Sequence, residues 1–257
     1  MIRVREMDIE SYRHYANSLE AARQPAWRYN EMKPCGLNYN NIILAWMYDS
    51  CHRLFRDFKR EAEQIVALLA LSSDATVIDM GCGTGAFALH AAPHFRKVHA
   101  VDVSKAMLRR ARKKARKARL GNIEFHRGGF LTYEHRGEPV DAINSVAVLH
   151  HLPDFWKLVG LRRMASMLKP HGKLHLFDVV FSFDVARYES GCKRFVKAMS
   201  AHLGSTGQIE SETHLRDEYS TCDWIMEGLL DKAGFNVELA DHKDDFLATY
   251  VCTKKDG

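Results

Sequence analysis

A chain of 257 residues, 46% hydrophobic and 27% charged with a mean hydropathy of −0.30, has ordinary globular composition, which excludes disordered, collagen-like and fibrous classes. Its length suits one large domain, or a domain with a cap. The net charge of +5, from 37 Lys and Arg against 32 Asp and Glu, at first points to an anionic partner.

The first 71 residues read as a helical cap, 1–71. Asp8 can cap a helix through about residue 24, with Ile9, Tyr12, Tyr15 and Leu19 on one face. Pro25 and Pro34 break the chain, an aromatic-rich stretch follows over 38–58, and 60–71 continues as an amphipathic helix. From residue 72 the texture changes. Strands are expected at 76–80, 97–102, 122–126, 140–146 and 173–180, alternating with helices at 87–94, 104–120 and 154–168. That alternation predicts a doubly wound parallel α/β sheet. Residues 183–224 form an insertion on the substrate side. A helix over 223–233 then precedes strands at 236–240 and 246–253, which are too close for a crossover and so pair antiparallel. Seven strands result, in a domain spanning 72–257.

The basic charge is local. Residues 105–119 hold nine Lys or Arg and no acid, leaving 28 basic residues against 32 acidic elsewhere. Met107, Ala111, Ala115 and Ala118 make a narrow stripe that can lie on the sheet, and the basic stems form a solvated face. Like-charge pairs four residues apart recur there, so an acidic neighbour, a partner subunit or an anion is expected to offset them. No run of 18 apolar residues suggests a membrane span, and the N-terminus lacks a signal-type apolar core. Six cysteines without a C-x-x-C pair read as reduced thiols in a cytoplasmic protein. Fourteen histidines show no paired ligand spacing, so no metal is assigned.

Asp79-Met-Gly81-Cys-Gly83-Thr-Gly85-Ala86 stands where the first strand turns into a helix, the place where doubly wound sheets bind ligands. Gly81-x-Gly83-x-x-Ala86, with Asp102 about 20 residues on, also fits a dinucleotide fingerprint. Three features favour another ligand. The third glycine is at 85. Asp79 precedes the first glycine by two, where it would repel a pyrophosphate but suit an ammonium and a sulfonium. The C-terminal antiparallel pair is atypical of dinucleotide folds.

The sequence resembles the class I S-adenosylmethionine (SAM)-dependent methyltransferases, closely over 76–180 and loosely beyond. Val77 to Gly85 is similar to that family's first motif, and Val101 to Leu108 to its second. Asn144 to Asp154 is similar to the segment after strand four of small-molecule methyltransferases, and Leu168 to Leu174 to the loop entering strand five. The resemblance implies a Rossmann-like fold that binds SAM and releases S-adenosylhomocysteine. It implies that Asp79, Gly81, Gly83 and Gly85 surround the methionine part, that Asp102 holds the ribose hydroxyls and Met107 flanks adenine, with Val103 a further cofactor-binding residue. Ser145 lies in the post-strand-four segment facing the cofactor. One position departs from the pattern: Gly129 stands where an acid usually meets the adenine amino group, leaving backbone and Phe130 to read it.

SAM carries its own leaving group, so an enzyme can act mainly by proximity and orientation. His150 and His151 follow strand four and are the candidate bases. Tyr39 and Tyr48, with Trp27, Tyr29 and Trp46, are candidates to line the acceptor pocket from the cap. Tyr219 and Trp224 are candidates from the insertion. The expected function is methyl transfer to a small molecule. RNA recruited by the 105–119 helix and a SAM-binding protein with altered or lost transfer, motivated by Gly129, are the alternatives. The segment at 144–147 lacks the Pro-Pro-aromatic of nucleobase amino methyltransferases, and the basic helix runs away from the cofactor rim, so nucleic acid is not the expected partner.

Overall fold

The protein is described by a computed structural model over residues 25–256. The helix expected over 8–24 lies outside the described residues. The chain divides into a unit ending at Asn30, in which the Arg28 N–H closes a turn on the Pro25 carbonyl at 2.9 Å, and a unit from Glu31 onward that holds every element below. No described helix is long and apolar enough to cross a membrane.

Helix α1 (Ile42–His52) starts at Asn41, whose side-chain oxygen accepts from the Ile43 and Leu44 N–H groups. Helix α2 (Phe58–Leu69) starts two residues before the pattern suggests, because Asp57 caps it, and it buries Phe58, Ala62, Ile65 and Leu69. Strand β1 (Thr76–Met80) is wholly buried. The next helix is shorter than expected: α3 (Ala86–Ala91) tightens into a 3₁₀ turn (Ala92–His94), where Pro93 has no N–H for an α-helical bond. Strand β2 (Lys97–Asp102), helix α4 (Lys105–Lys117), strand β3 (Ile123–Arg127) and strand β4 (Val140–Val146) follow. Helix α5 (Asp154–Met167) leads into β5 (Leu168–Phe181), which begins five residues early. Residues 169–172, expected as a connecting loop, lie inside this strand as a distortion. His171 is left-handed (φ 57°) and the register against β4 slips between Val140 and Ala142.

The 183–224 insertion holds an element that the sequence pattern does not reveal. Helix α6 (Tyr188–Asp217) is 30 residues long and breaks at Gly204 (φ 58°, ψ −136°). A two-residue strand β6 (Thr221–Cys222), helix α7 (Asp223–Ala233), β7 (Phe235–Lys243) and β8 (Leu247–Lys254) complete the chain. The sheet order is β3-β2-β1-β4-β5-β8-β7, parallel through β5 and antiparallel for the last pair. It has eight strands, not the expected seven, because β6 pairs with Val180 and Phe181 at the end of β5. The order reverses between β2 and β4 on either side of β1, so a crevice opens above the carboxyl ends of these strands.

Helix α4 buries Met107, Leu108, Ala111 and Ala115; Leu108 takes the place expected for Ala118, which is exposed. Of the three ways to offset its charges, an acidic neighbour is present. Asp49 of α1 accepts from Lys114 Nζ at 2.9 Å and Arg110 at 3.5 Å, and from the Thr84 hydroxyl. Arg112 donates to the Phe125 carbonyl at 3.1 Å, with its guanidinium over the Phe125 ring.

Candidate active site

The crevice is floored by the turn from β1 into α3. Gly81 is left-handed (φ 77°), and a side chain there would drive into Val148. Gly83 is also left-handed (φ 52°), but a Cβ on it would meet nothing within 4 Å. Bare backbone therefore faces open space at the crevice floor, as close approach of a ligand requires. The turn is braced by the Gly81 and Cys82 N–H groups on the Val101 carbonyl, at 2.8 and 2.9 Å.

Two aspartates close β1 and β2, and they differ in position. Asp102 lines the crevice. One carboxylate oxygen accepts from the Gly83 N–H at 2.8 Å and the other from the Ser104 N–H at 2.7 Å. Each oxygen keeps a lone pair for a diol. Burial pushes this carboxyl up to about 6 against the pull of both donors. Asp79 lies beneath the crevice instead. Its oxygens accept from the Ala88 N–H at 3.2 Å and Asn144 Nδ2 at 2.8 Å, and burial pushes it up to about 7. The Asn144 oxygen in turn takes His175 Nδ1 at 2.8 Å. Asp79 thus ties β1 to α3 and β4.

The far end is formed by residues 128–130. At Gly129, where the family pattern usually has an acid, a carboxylate is supplied from elsewhere. Glu31 accepts the Leu131 N–H at 3.0 Å and the Thr132 hydroxyl at 2.6 Å. A Cβ on Gly129 would meet a Glu31 oxygen at 2.5 Å, so the glycine makes room for this carboxylate. Glu31 and Gly129 both line the crevice.

The other wall follows β4. Ala147 is left-handed (φ 55°), Val148 leans over Gly81, and a 3₁₀ turn (Leu149–His151) carries the two histidines. His151 lines the crevice; burial and the neighbouring His150 push it down to about 4. His150 is buried behind it. Its Nδ1 meets Asp178 Oδ1 at 2.5 Å, and its Nε2 lies 3.3 Å from Glu218. His214 also pairs with Glu218. Burial opposes charge on His150, but Asp178 and Glu218 outweigh it and hold its pKa above the ordinary value. Burial would likewise raise Asp178 and Glu218, yet the histidines hold both below the carboxylate range.

These features sit in a chain with known relatives. A family model described as "Methyltransferase domain" matches residues 77–172. An uncharacterized methyltransferase of Geobacillus kaustophilus is 26% identical over 186 residues, 72% of this chain and 80% of that protein. Residues 77–172 thus match a methyltransferase domain, and the chain is similar over most of its length to methyltransferases. The 27-O-demethylrifamycin SV methyltransferase of Amycolatopsis mediterranei is 24% identical over 219 residues, 78% of this chain and 80% of that one. The fold is shared with the magnesium protoporphyrin IX methyltransferase of Synechocystis, at a TM-score of 0.59 and 16% identity, covering 84% and 98% of the two chains.

The fold brings most of the sequence-expected residues onto one surface. Gly81, Gly83, Asp102, Val103, Met107, Gly129, Phe130, His151, Tyr39 and Tyr48 line the crevice. Asp79, Gly85, Ser145 and His150 do not. Ser145 is fully buried in β4, its hydroxyl without a hydrogen-bond partner among the described residues. Tyr219 and Trp224 do not line it either: the Tyr219 N–H holds the His150 carbonyl at 2.8 Å, and the Trp224 ring is 70% exposed. Trp46 points to solvent, and Trp27 and Tyr29 belong to the unit that ends at Asn30. Three carboxylates, Glu31, Asp178 and Glu218, complete the site without having been singled out from sequence. Glu218 adjoins Tyr219 in a segment whose polar density is visible; Glu31 and Asp178 carry no local signal.

The lining fits SAM. Asp102 offers paired acceptors to a ribose diol, Gly83 offers bare backbone, and Met107 with Phe130 offers apolar surface to a base.

Proposed function

We propose that this methyltransferase acts on a small-molecule acceptor held between Tyr39, Tyr48 and His151. The observation that carries this reading is the enclosure of the crevice. Residues 31–35, Leu37, Tyr39, Asn40 and Tyr48 cover the ends of the strands, and the lining is predominantly apolar. Tyr39 is anchored there through its carbonyl on the Ser104 hydroxyl at 2.8 Å, and its ring meets Tyr48 edge to face. Such a roofed apolar slot suits a compact organic ligand.

In this reading Asp102 would hold the ribose hydroxyls, the Gly81–Gly83 backbone the methionine part, and Met107, Phe130 and the Glu31-braced turn the adenine. Bound SAM supplies an electrophilic methyl on a sulfonium. The protein orients the acceptor and excludes water, which together supply much of the barrier reduction in such a transfer. His151 is neutral at neutral pH and accepts a hydrogen bond from a protic acceptor atom. His150 acts through it: fixed by Asp178 and Glu218, it sets the turn on which His151 stands.

RNA as substrate finds less support. The cations of α4 that could recruit it are partly spent: Lys114 and Arg110 on Asp49, and Arg112 on the Phe125 carbonyl. A protein with altered transfer also loses its motive, since Glu31 stands where Gly129 left the acid missing.

The test uses methyl-labelled SAM with a library of phenols, alcohols and amines beside total RNA. Label is expected in a small molecule; label confined to RNA sinks the proposal. With the acceptor in hand, His151→Asn should lower turnover by about 10²- to 10⁴-fold while calorimetry finds SAM affinity unchanged.

A further inference from the structure

Away from the crevice, the edge of the sheet brings three donor groups to one point. His99 of β2 pairs directly with Glu124 of β3 in the parallel register. His126 lies two residues beyond Glu124 and so shares its face. The donor atoms form a small triangle. His99 Nδ1 is 3.1 Å from His126 Nε2 and 3.4 Å from Glu124 Oε2, and His126 Nε2 is 3.7 Å from that same oxygen. A tetrahedral zinc ion with bonds of about 2.0–2.1 Å needs ligand atoms about 3.4 Å apart, which is the scale of this triangle.

From this geometry we propose that His99, Glu124 and His126 form a binding site for a divalent transition-metal ion of the zinc class. Two imidazoles and one carboxylate suit zinc, and they are too few and too nitrogen-rich for calcium or magnesium. The surroundings hold the ligands in place. Lys97 Nζ takes the other Glu124 oxygen at 2.7 Å and leaves Oε2 turned to the histidines. The His135 ring stands edge-on against His99, with its own nitrogens engaged by the Tyr133 hydroxyl at 3.1 Å and the Glu138 carbonyl at 2.9 Å. The side chains grade from His99, 8% exposed, to His126 at 34% and Glu124 at 51%. The triangle is therefore rooted in the sheet and open on its outer side. The fourth ligand position faces a surface groove shared with Thr132, Tyr133 and His135, where water or a small exogenous ligand completes the tetrahedron. Metal there joins the edge strand β3 to β2 two residues before the Gly128 turn that borders the crevice.

The test uses the full chain without an affinity tag, stripped with a chelator and titrated with zinc chloride in a calorimeter. One equivalent is expected to bind in the low micromolar range, magnesium is not, and cobalt should give the visible absorption of a tetrahedral site. His126→Ala and Glu124→Gln change a half-buried and an exposed side chain, and circular dichroism checks that both remain folded. Each should weaken zinc by at least about tenfold. His171→Ala, at an exposed histidine elsewhere, should leave it unchanged. Absence of binding up to hundreds of micromolar overturns the site. So does zinc that binds both variants as well as the parent, which places it elsewhere; His150, His151 and Glu218 are the other such trio among the described residues.

Discussion

Asp79 and Asp102 end neighbouring strands in the half of the site proposed to hold the cofactor, while Asp178 and Glu218 back the His150 turn in the half proposed to hold the acceptor. All four are buried or nearly so, and burial alone would raise all four. They nevertheless divide. The first pair faces only neutral donors — backbone N–H groups and the Asn144 amide — and is pushed up to about 7 and about 6. The second pair faces histidines and is held down. A few neutral hydrogen bonds do not repay the lost hydration of a carboxylate, whereas an imidazolium at contact does. The proposed cofactor half is therefore built around carboxylates with raised proton affinity, and the proposed acceptor half around an ion cluster.

The sharpest way to break this comparison is to neutralise one member of each pair. Asp178→Asn leaves His150 buried beside a neutral amide and should cost about 3–5 kcal/mol in urea unfolding at pH 7. Asp79→Asn keeps an acceptor for the Ala88 N–H but turns an amide N–H towards Asn144 Nδ2, so it should cost about 1–3 kcal/mol, less than Asp178→Asn. The pH slopes should also have opposite signs. Asp79 and Asp102 bind protons more tightly folded than unfolded, so their contribution improves as pH falls from about 7 towards the unfolded value near 4. Asp178 is depressed, so its contribution is present above the unfolded value and is lost as pH falls through the folded one. Equal costs for the two substitutions would show that partner charge does not decide the matter.

The same division explains what could be read from sequence. The cofactor half is local. Asp79 to Gly85 is one turn, and Asp102 ends the next strand, so a motif with fixed spacing reports it. The parallel sheet and its antiparallel end follow from strands and helices that each show a clean period. The remainder of the site is assembled from afar. Glu31 reaches a site 100 residues along the chain, and Asp178 meets a histidine 28 residues earlier. Helix α6 is interrupted at Gly204 and mixes Gly, Ser and Thr through its length, so it offers no apolar period. The His99–Glu124–His126 triangle also has no sequence spacing of its own, because strand register creates it.

Replacing Asp102 sharpens the cofactor side. Asp102→Asn keeps the shape but leaves one acceptor oxygen for two N–H donors and a diol. SAM and S-adenosylhomocysteine should both bind about 10- to 100-fold more weakly by calorimetry, the scale of a lost hydrogen bond to a charged group. In the parent, affinity for both should weaken as pH falls through about 6, where Asp102 takes up its proton. The variant has no such proton to take up, so its pH profile should be flat. A parent profile equally flat would mean that another group holds the ribose.

Asp49 gives the smallest and most discriminating effect. It is a buried carboxylate in the same helix as Tyr48, but its partners are lysine and arginine in place of histidine. Burial raises it, yet the Thr84 hydroxyl, Lys114 and Arg110 together bring it below its ordinary value. If partner charge is what separates the two carboxylate pairs, Asp49 must behave like Asp178. The scale differs because Lys114 and Arg110 remain about a quarter exposed and are screened. Asp49→Asn should therefore cost about 1 kcal/mol at low ionic strength, and less at 0.5 M salt. A loss that ignores salt would assign the effect to the short contact with the Thr84 hydroxyl, which joins α1 to the glycine turn without any net charge.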